Sequence, residues 1–215
     1  MTGRPDTTVA AGVPEALRRL LERGREPRQA PGERCEMCGE PLVAEHRHVA
    51  NLDTRGLMCT CTGCYLLFTR EGAGQGRYRA VPDRYAYVPE FRLTAEQWAE
   101  LAIPVQVAFF YRNSTLDRYA GFYPSPAGAT ESLLPLDMWD EVLAANPEVA
   151  DLAPDVEALL LRYRPDRPTE CYLVPIDACY ELVGLIRTRW KGFDGGTEVW
   201  QSIDAFFGRL RERSG

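Results

Sequence analysis

The stretch Val105–Tyr123, VQVAFFYRNSTLDRYAGFY, decides how the chain is to be read. Two runs dense in aromatic and β-branched residues, Val105–Arg112 and Arg118–Tyr123, flank the turn-forming Asn113-Ser114-Thr115, as in an antiparallel hairpin. A second pair of the same kind, Val156–Arg164 and Glu170–Val174, lies on either side of Pro165-Asp166-Arg167-Pro168. Val156, Leu159, Leu160 and Tyr163 also fit a helical period, but the hairpin is the preferred reading. Helical signals fill the intervals. Thr94 and Gln97 form a capping box ahead of Trp98 and Leu101. Asp137 precedes a stripe of Met138, Trp139, Val142 and Leu143. Asp177–Trp190 and Thr197–Arg213 carry broad apolar faces. The expectation is an α+β domain with an antiparallel four-stranded sheet and helices on one face.

The rest of the chain frames that domain. Its 215 residues allow one domain, or one plus a small module, and 45% apolar with 26% charged residues is an ordinary globular balance. Pro14–Gly24 reads as a helix and Arg25–Gly32 as a linker, giving an N-terminal segment over residues 1–33. Residues 34–77 form a cysteine-rich module closed by the glycine-rich Glu71–Arg77, which reads as a flexible linker, and residues 78–215 the α+β domain. The net charge of −6 divides into +1 over residues 1–90 and −7 over residues 91–215. An acidic body repels phosphate backbones and disfavours a nucleic-acid role, which would rest on Arg34, Arg47, Arg55 and Arg70. Met1–Gly24 lacks the apolar core of an export signal, and no run approaches the ~18–20 apolar residues of a membrane span. The expected compartment is cytoplasmic.

Five of the seven cysteines fall between Cys35 and Cys64, in the spacing Cys35-x2-Cys38-x22-Cys61-x2-Cys64, with Cys59 beside the second pair. In a reducing compartment this pattern reads as metal binding. Two C-x2-C turns supply four thiolates to a tetrahedral ion without backbone strain, and Gly39 allows the positive φ that follows the first turn. Cys61-Thr-Gly-Cys64 leads into an apolar run, so Cys64 is expected in the first turn of a helix, as in a treble clef or zinc ribbon. The predicted metal ligands are Cys35, Cys38, Cys61 and Cys64, and Zn²⁺ is the favoured ion. Iron on the same donors, as in a rubredoxin, stays open. Cys59, His46 or His48 can substitute in the set. Four thiolates leave no coordination vacancy, which makes the site structural and catalysis there unfavourable.

Other features point less sharply. Pro124–Ser132 reads as a long Ω-like connection. The Glu71–Arg77 stretch lacks the Lys-Ser/Thr ending of a phosphate loop. Trp190–Gly196 is a helix-joining turn. Cys171 and Cys179, far from either histidine in sequence, read as core thiols. No catalytic residues are assigned.

Arg34–Leu42 (RCEMCGEPL), Glu45–His48 (EHRH), Tyr123–Pro135 (YPSPAGATESLLP) and Glu170–Gly196 (ECYLVPIDACYELVGLIRTRWKGFDGG) resemble an uncharacterised bacterial, largely actinobacterial, family of Cys-rich proteins. The resemblance covers nearly all of residues 34–213. Genes of that family often lie near those of uptake nickel-iron hydrogenases. The resemblance therefore implies an accessory role, with a hydrogenase or a maturation factor as the protein partner, and it carries over only the cysteines.

Overall fold

The structure is a computed structural model that describes residues 32–132, 136–192 and 195–215, with the side chains of Leu136 and Asp137 left aside. The N-terminal helix expected at Pro14–Gly24 lies outside the described residues. A small three-stranded antiparallel sheet comes first, built from β1 (Arg47–Asn51), β2 (Gly56–Thr60) and β3 (Tyr78–Ala80), in the order β2-β1-β3. Between β2 and β3 lies the five-residue helix α1 (Thr62–Leu66). The large sheet comprises β4 (Ala86–Val88), β5 (Val107–Asn113), β6 (Arg118–Ser125), β7 (Gly128–Ser132), β8 (Glu157–Arg164) and β9 (Arg167–Pro175). Its order is β4-β9-β8-β5-β6-β7, every pair antiparallel. Helices α2 (Ala95–Glu100), α3 (Leu136–Ala145), α4 (Ile176–Arg189) and α5 (Gly196–Arg213) complete it. No described helix is long and apolar enough to cross a membrane.

The α+β class and both hairpins follow the sequence, but the sheet has six strands rather than four. Two short strands were added at its edges. Pro124–Ser132 is not an Ω-like connection: β6 runs on to Ser125, turns at Pro126-Ala127 and returns as β7. Ser125 fastens that turn, its hydroxyl donating to the Gly128 carbonyl at 3.0 Å. The opposite edge, β4, pairs Tyr87 with Tyr172 of β9. The second hairpin is also tighter than expected, since β9 begins at Arg167 rather than Glu170.

Helices cover both faces of this sheet, not one. Phe109, Leu160, Tyr172 and Val174 point toward α4 and α5, packing with Leu182, Ile186, Ile203, Phe206 and Phe207. Their strand neighbours Ala108, Phe110, Leu159, Leu161 and Leu173 point the other way, toward Trp98 of α2 and Met138, Trp139 and Val142 of α3. The ring of Trp139 stacks on Phe110 with centroids 3.9 Å apart. Double coverage explains why the central strands are apolar at successive positions rather than alternating. At the start of α2 the capping box forms as the sequence predicts: Thr94 Oγ1 accepts from the Gln97 amide, and the Gln97 side chain accepts from the Thr94 amide.

The small sheet is seated on the α4/α5 side, where its Ala50 and neighbouring Val81 join the core. Polar contacts fix it further. Arg79 donates to the Pro154 carbonyl at 2.8 Å, and Asp83 accepts from both Arg47 and Arg213. The glycine-rich stretch is a folded turn rather than a flexible linker. The rings of Phe68 and Tyr78 close over Gly74, whose φ of 58° and lack of Cβ permit that approach.

Candidate metal centre

The four cysteines of the two C-x2-C turns come together with their sulfurs all within 4.8 Å of one another. In the first turn the Cys35 amide donates to the Glu40 carbonyl and the Gly39 amide to the Cys35 carbonyl, both at 2.8 Å. Gly39 sits at φ 79°, the conformation that lets the chain reverse after Cys38. The second turn opens α1. Cys61 is its N-cap, its sulfur accepting from the Cys64 amide, so Cys64 lies in the first helical turn as expected. The two turns are laced together through Glu36. Its amide donates to the Cys59 carbonyl at 2.9 Å, and its carboxylate accepts from the Cys59 amide at 2.6 Å.

This geometry fits a metal ion. A tetrahedral site with metal–sulfur bonds of about 2.3 Å has sulfur–sulfur edges of about 3.8 Å. Cys38 Sγ and Cys61 Sγ are 3.7 Å apart. Cys35 is buried, Cys38 exposed, and Cys61 and Cys64 intermediate, so the set lies at the surface end of the module. Burial works against the Cys35 thiolate, but the backbone amides of Cys61, Cys38 and Met37 outweigh it and lower its pKa to about 6. Cys64 is pushed up to about 12, first by its hydrogen bond to the Cys38 sulfur and then by burial and its other sulfur neighbours. Four sulfurs sharing so little space cannot all be anionic unless a cation joins them. The set can therefore hold a metal ion.

Cys59, His46 and His48 do not enter this group. They form one of their own, again with ligand atoms within 4.8 Å of one another. His46 immediately precedes β1 and His48 lies two residues on, within it; His48 pairs directly with Cys59 across the β1–β2 ladder, and the three side chains come together. The carboxylate of Asp177, in the first turn of α4, sits 2.9 Å from His48 Nδ1. The sequence gives no sign of this contact, which spans 129 residues.

The remaining candidates separate from the site. Cys171 and Cys179 are core thiols, their pKa values raised chiefly by burial. Arg47 pairs with Asp83 and lies over the Tyr65 ring, while Arg34 donates to the Gly39 carbonyl. The Tyr65 and Gly39 contacts lie within the module, and the Asp83 pair ties it to the segment that follows.

No curated protein and no solved structure matches the chain. The pattern of DUF5947, a family of unknown function, matches residues 34–214, and the chain belongs to that family.

Proposed function

We propose that the cysteine tetrad holds a structural Zn²⁺ and that the protein is an accessory factor acting through contacts with another protein. The observation that carries this reading is the closed sulfur set, with Cys38 and Cys61 Sγ at tetrahedral spacing. A zinc ion with four thiolates organises its surroundings and has no position for substrate. The module around it supports docking: Val43, Leu66 and Leu67 are 73%, 60% and 66% exposed, unusual values for large aliphatic side chains. The likeness to proteins encoded near nickel-iron hydrogenases supplies the partner, a hydrogenase subunit or one of its maturation factors, and with it a cytoplasmic setting.

The test joins metal analysis to affinity capture. Purified protein is expected to lose one zinc per chain on Cys38→Ser or Cys64→Ser substitution. Tagged protein in native extract is expected to capture a hydrogenase subunit or maturation factor, and Leu66→Glu with Leu67→Glu to abolish capture while leaving the zinc. A coloured preparation bleached by reductant replaces zinc with iron. Capture of no hydrogenase component, under conditions where both are expressed, refutes the assigned role.

A further inference from the structure

We propose that His46, His48 and Cys59 form a second metal site, distinct from the cysteine tetrad, that binds Zn²⁺ through three protein ligands and leaves a coordination position open. The side chain of His46 is 8% exposed, and its Nε2 is buried with no hydrogen-bond partner among the described residues. A buried ring nitrogen without a partner is rare, because the lost hydration is not replaced. The other nitrogen shows what the ring is arranged for. His46 Nδ1 lies 3.0 Å from the Val43 carbonyl oxygen, which can only accept. In the neutral ring Nδ1 therefore carries the proton, and Nε2 presents its lone pair. The same holds for His48, whose Nδ1 donates to the Asp177 carboxylate at 2.9 Å and leaves Nε2 as the donor atom.

Imidazoles that bind a metal through one nitrogen characteristically give the other N–H to a carbonyl or carboxylate, which fixes ring orientation and raises ligand basicity. Here two rings with centroids 4.8 Å apart are both held in that way beside a thiol. Two imidazoles and a thiolate suit a borderline divalent ion in tetrahedral geometry. Edges of about 3.3–3.8 Å are needed, and the ligand atoms already lie within 4.8 Å of one another, so closure on an ion is within reach of side-chain rotation. The Cys59 proton leaves to solvent as the metal–sulfur bond forms. No fourth His, Cys, Asp or Glu atom among the described residues joins the group. Both histidines line a cleft of about 1120 Å³ between the small sheet and helices α4 and α5, with Thr60, Tyr85 and Asp177 in its walls. A water or another small donor ligand reaches the open position from there. The tetrad is closed, whereas this site is built to exchange a ligand.

The experiment uses the full chain, exposed to excess Zn²⁺, freed of loose metal by gel filtration, and assayed for zinc per chain. Wild type is expected to hold two, and His46→Gln, His48→Gln and Cys59→Ala to hold one. The tetrad variant Cys38→Ser is also expected to hold one. Asp177→Asn, which touches no metal, is expected to weaken zinc at this site about 10–100-fold in a competition titration. Wild type loaded with Co²⁺ adds a readout that tolerates a poorly folding variant: Cys59→Ala should lose part of the thiolate-to-cobalt absorption. One zinc in wild type, unchanged in the His and Cys59 variants, overturns the proposal and leaves the tetrad standing. Two zincs that persist in all three variants also overturn it. One zinc lost on His46→Gln but kept on Cys38→Ser upholds this site and rejects the tetrad instead.

Discussion

With the proposed Zn²⁺ in the tetrad, stripping that ion should melt the cysteine module locally while leaving the large sheet intact. Over residues 33–46 and 59–70 only Cys35 and Thr60 are buried, so apolar burial there contributes about 1.5–3 kcal/mol. The four backbone bonds donated by the amides of Cys35, Glu36, Gly39 and Leu42 add about 2–6 kcal/mol. Ordering the ten residues Glu33–Leu42 that these bonds span costs about 10–20 kcal/mol, which leaves the metal-free turn about 9 kcal/mol short. Zinc contributes about 10–16 kcal/mol, enough to reverse that deficit and hold the turn closed. Hydrogen exchange read residue by residue, before and after a strong chelator, measures the difference. The amides of Cys35, Glu36, Gly39 and Leu42 should lose at least about 4 kcal/mol of opening free energy, a thousandfold rise in exchange. Those of Leu160 and Tyr172, on the central strands, should change little. Retained protection at the first turn, or its loss together with that of the central strands, would refute the reasoning.

Two further predictions concern the frame that carries the module. Glu157 is 2% exposed and accepts from Arg84 at 2.7 and 2.6 Å and from the Ala153 amide at 2.8 Å, so Arg84→Met leaves a buried carboxylate with half its partners. Urea unfolding should show a loss of about 2–4 kcal/mol, partly recovered in Arg84→Met/Glu157→Leu, because removing both charges costs less than stranding one. Trp139 is fully buried, and its indole N–H has no partner among the described residues. Trp139→Ala should cost about 3–5 kcal/mol on the same assay, and Trp139→Phe far less, since it keeps the stacked ring and removes the unsatisfied donor; equal losses would show that the ring stack contributes nothing.

What could be read from residues alone follows a physical line. Thr94 and Gln97 act through contacts three residues apart, and the Cys35–Cys38 and Cys61–Cys64 turns are equally local, so all were visible. The central strands were visible too, although their uninterrupted apolar runs already carried the sign of burial on two faces that an expectation of one-sided coverage passed over. The edge strands Ala86–Val88 and Gly128–Ser132 gave no such sign. They are short, half-exposed and held by the register of their neighbours rather than by their own composition. The grouping of His46 and His48 with Cys59 depends on the pairing of His48 with Cys59, and the Asp177 contact on the docking of α4. Neither is encoded in spacing.

The distance along the chain between His48 and Asp177 bears on the order of events during synthesis. Every ligand of the tetrad, from Cys35 to Cys64, leaves the ribosome while the strands and helices of the large domain are still unmade. That site can capture its ion early, as a self-contained knot. The histidine pair gains its support late: the carboxylate that orients one ring arrives 129 residues later, and Arg213, which clasps Asp83 from the far end of the last helix, arrives later still. Tight loading of the proposed second site is thus favoured only when nearly the whole polypeptide has been made and packed, so its full occupancy would mark a finished molecule.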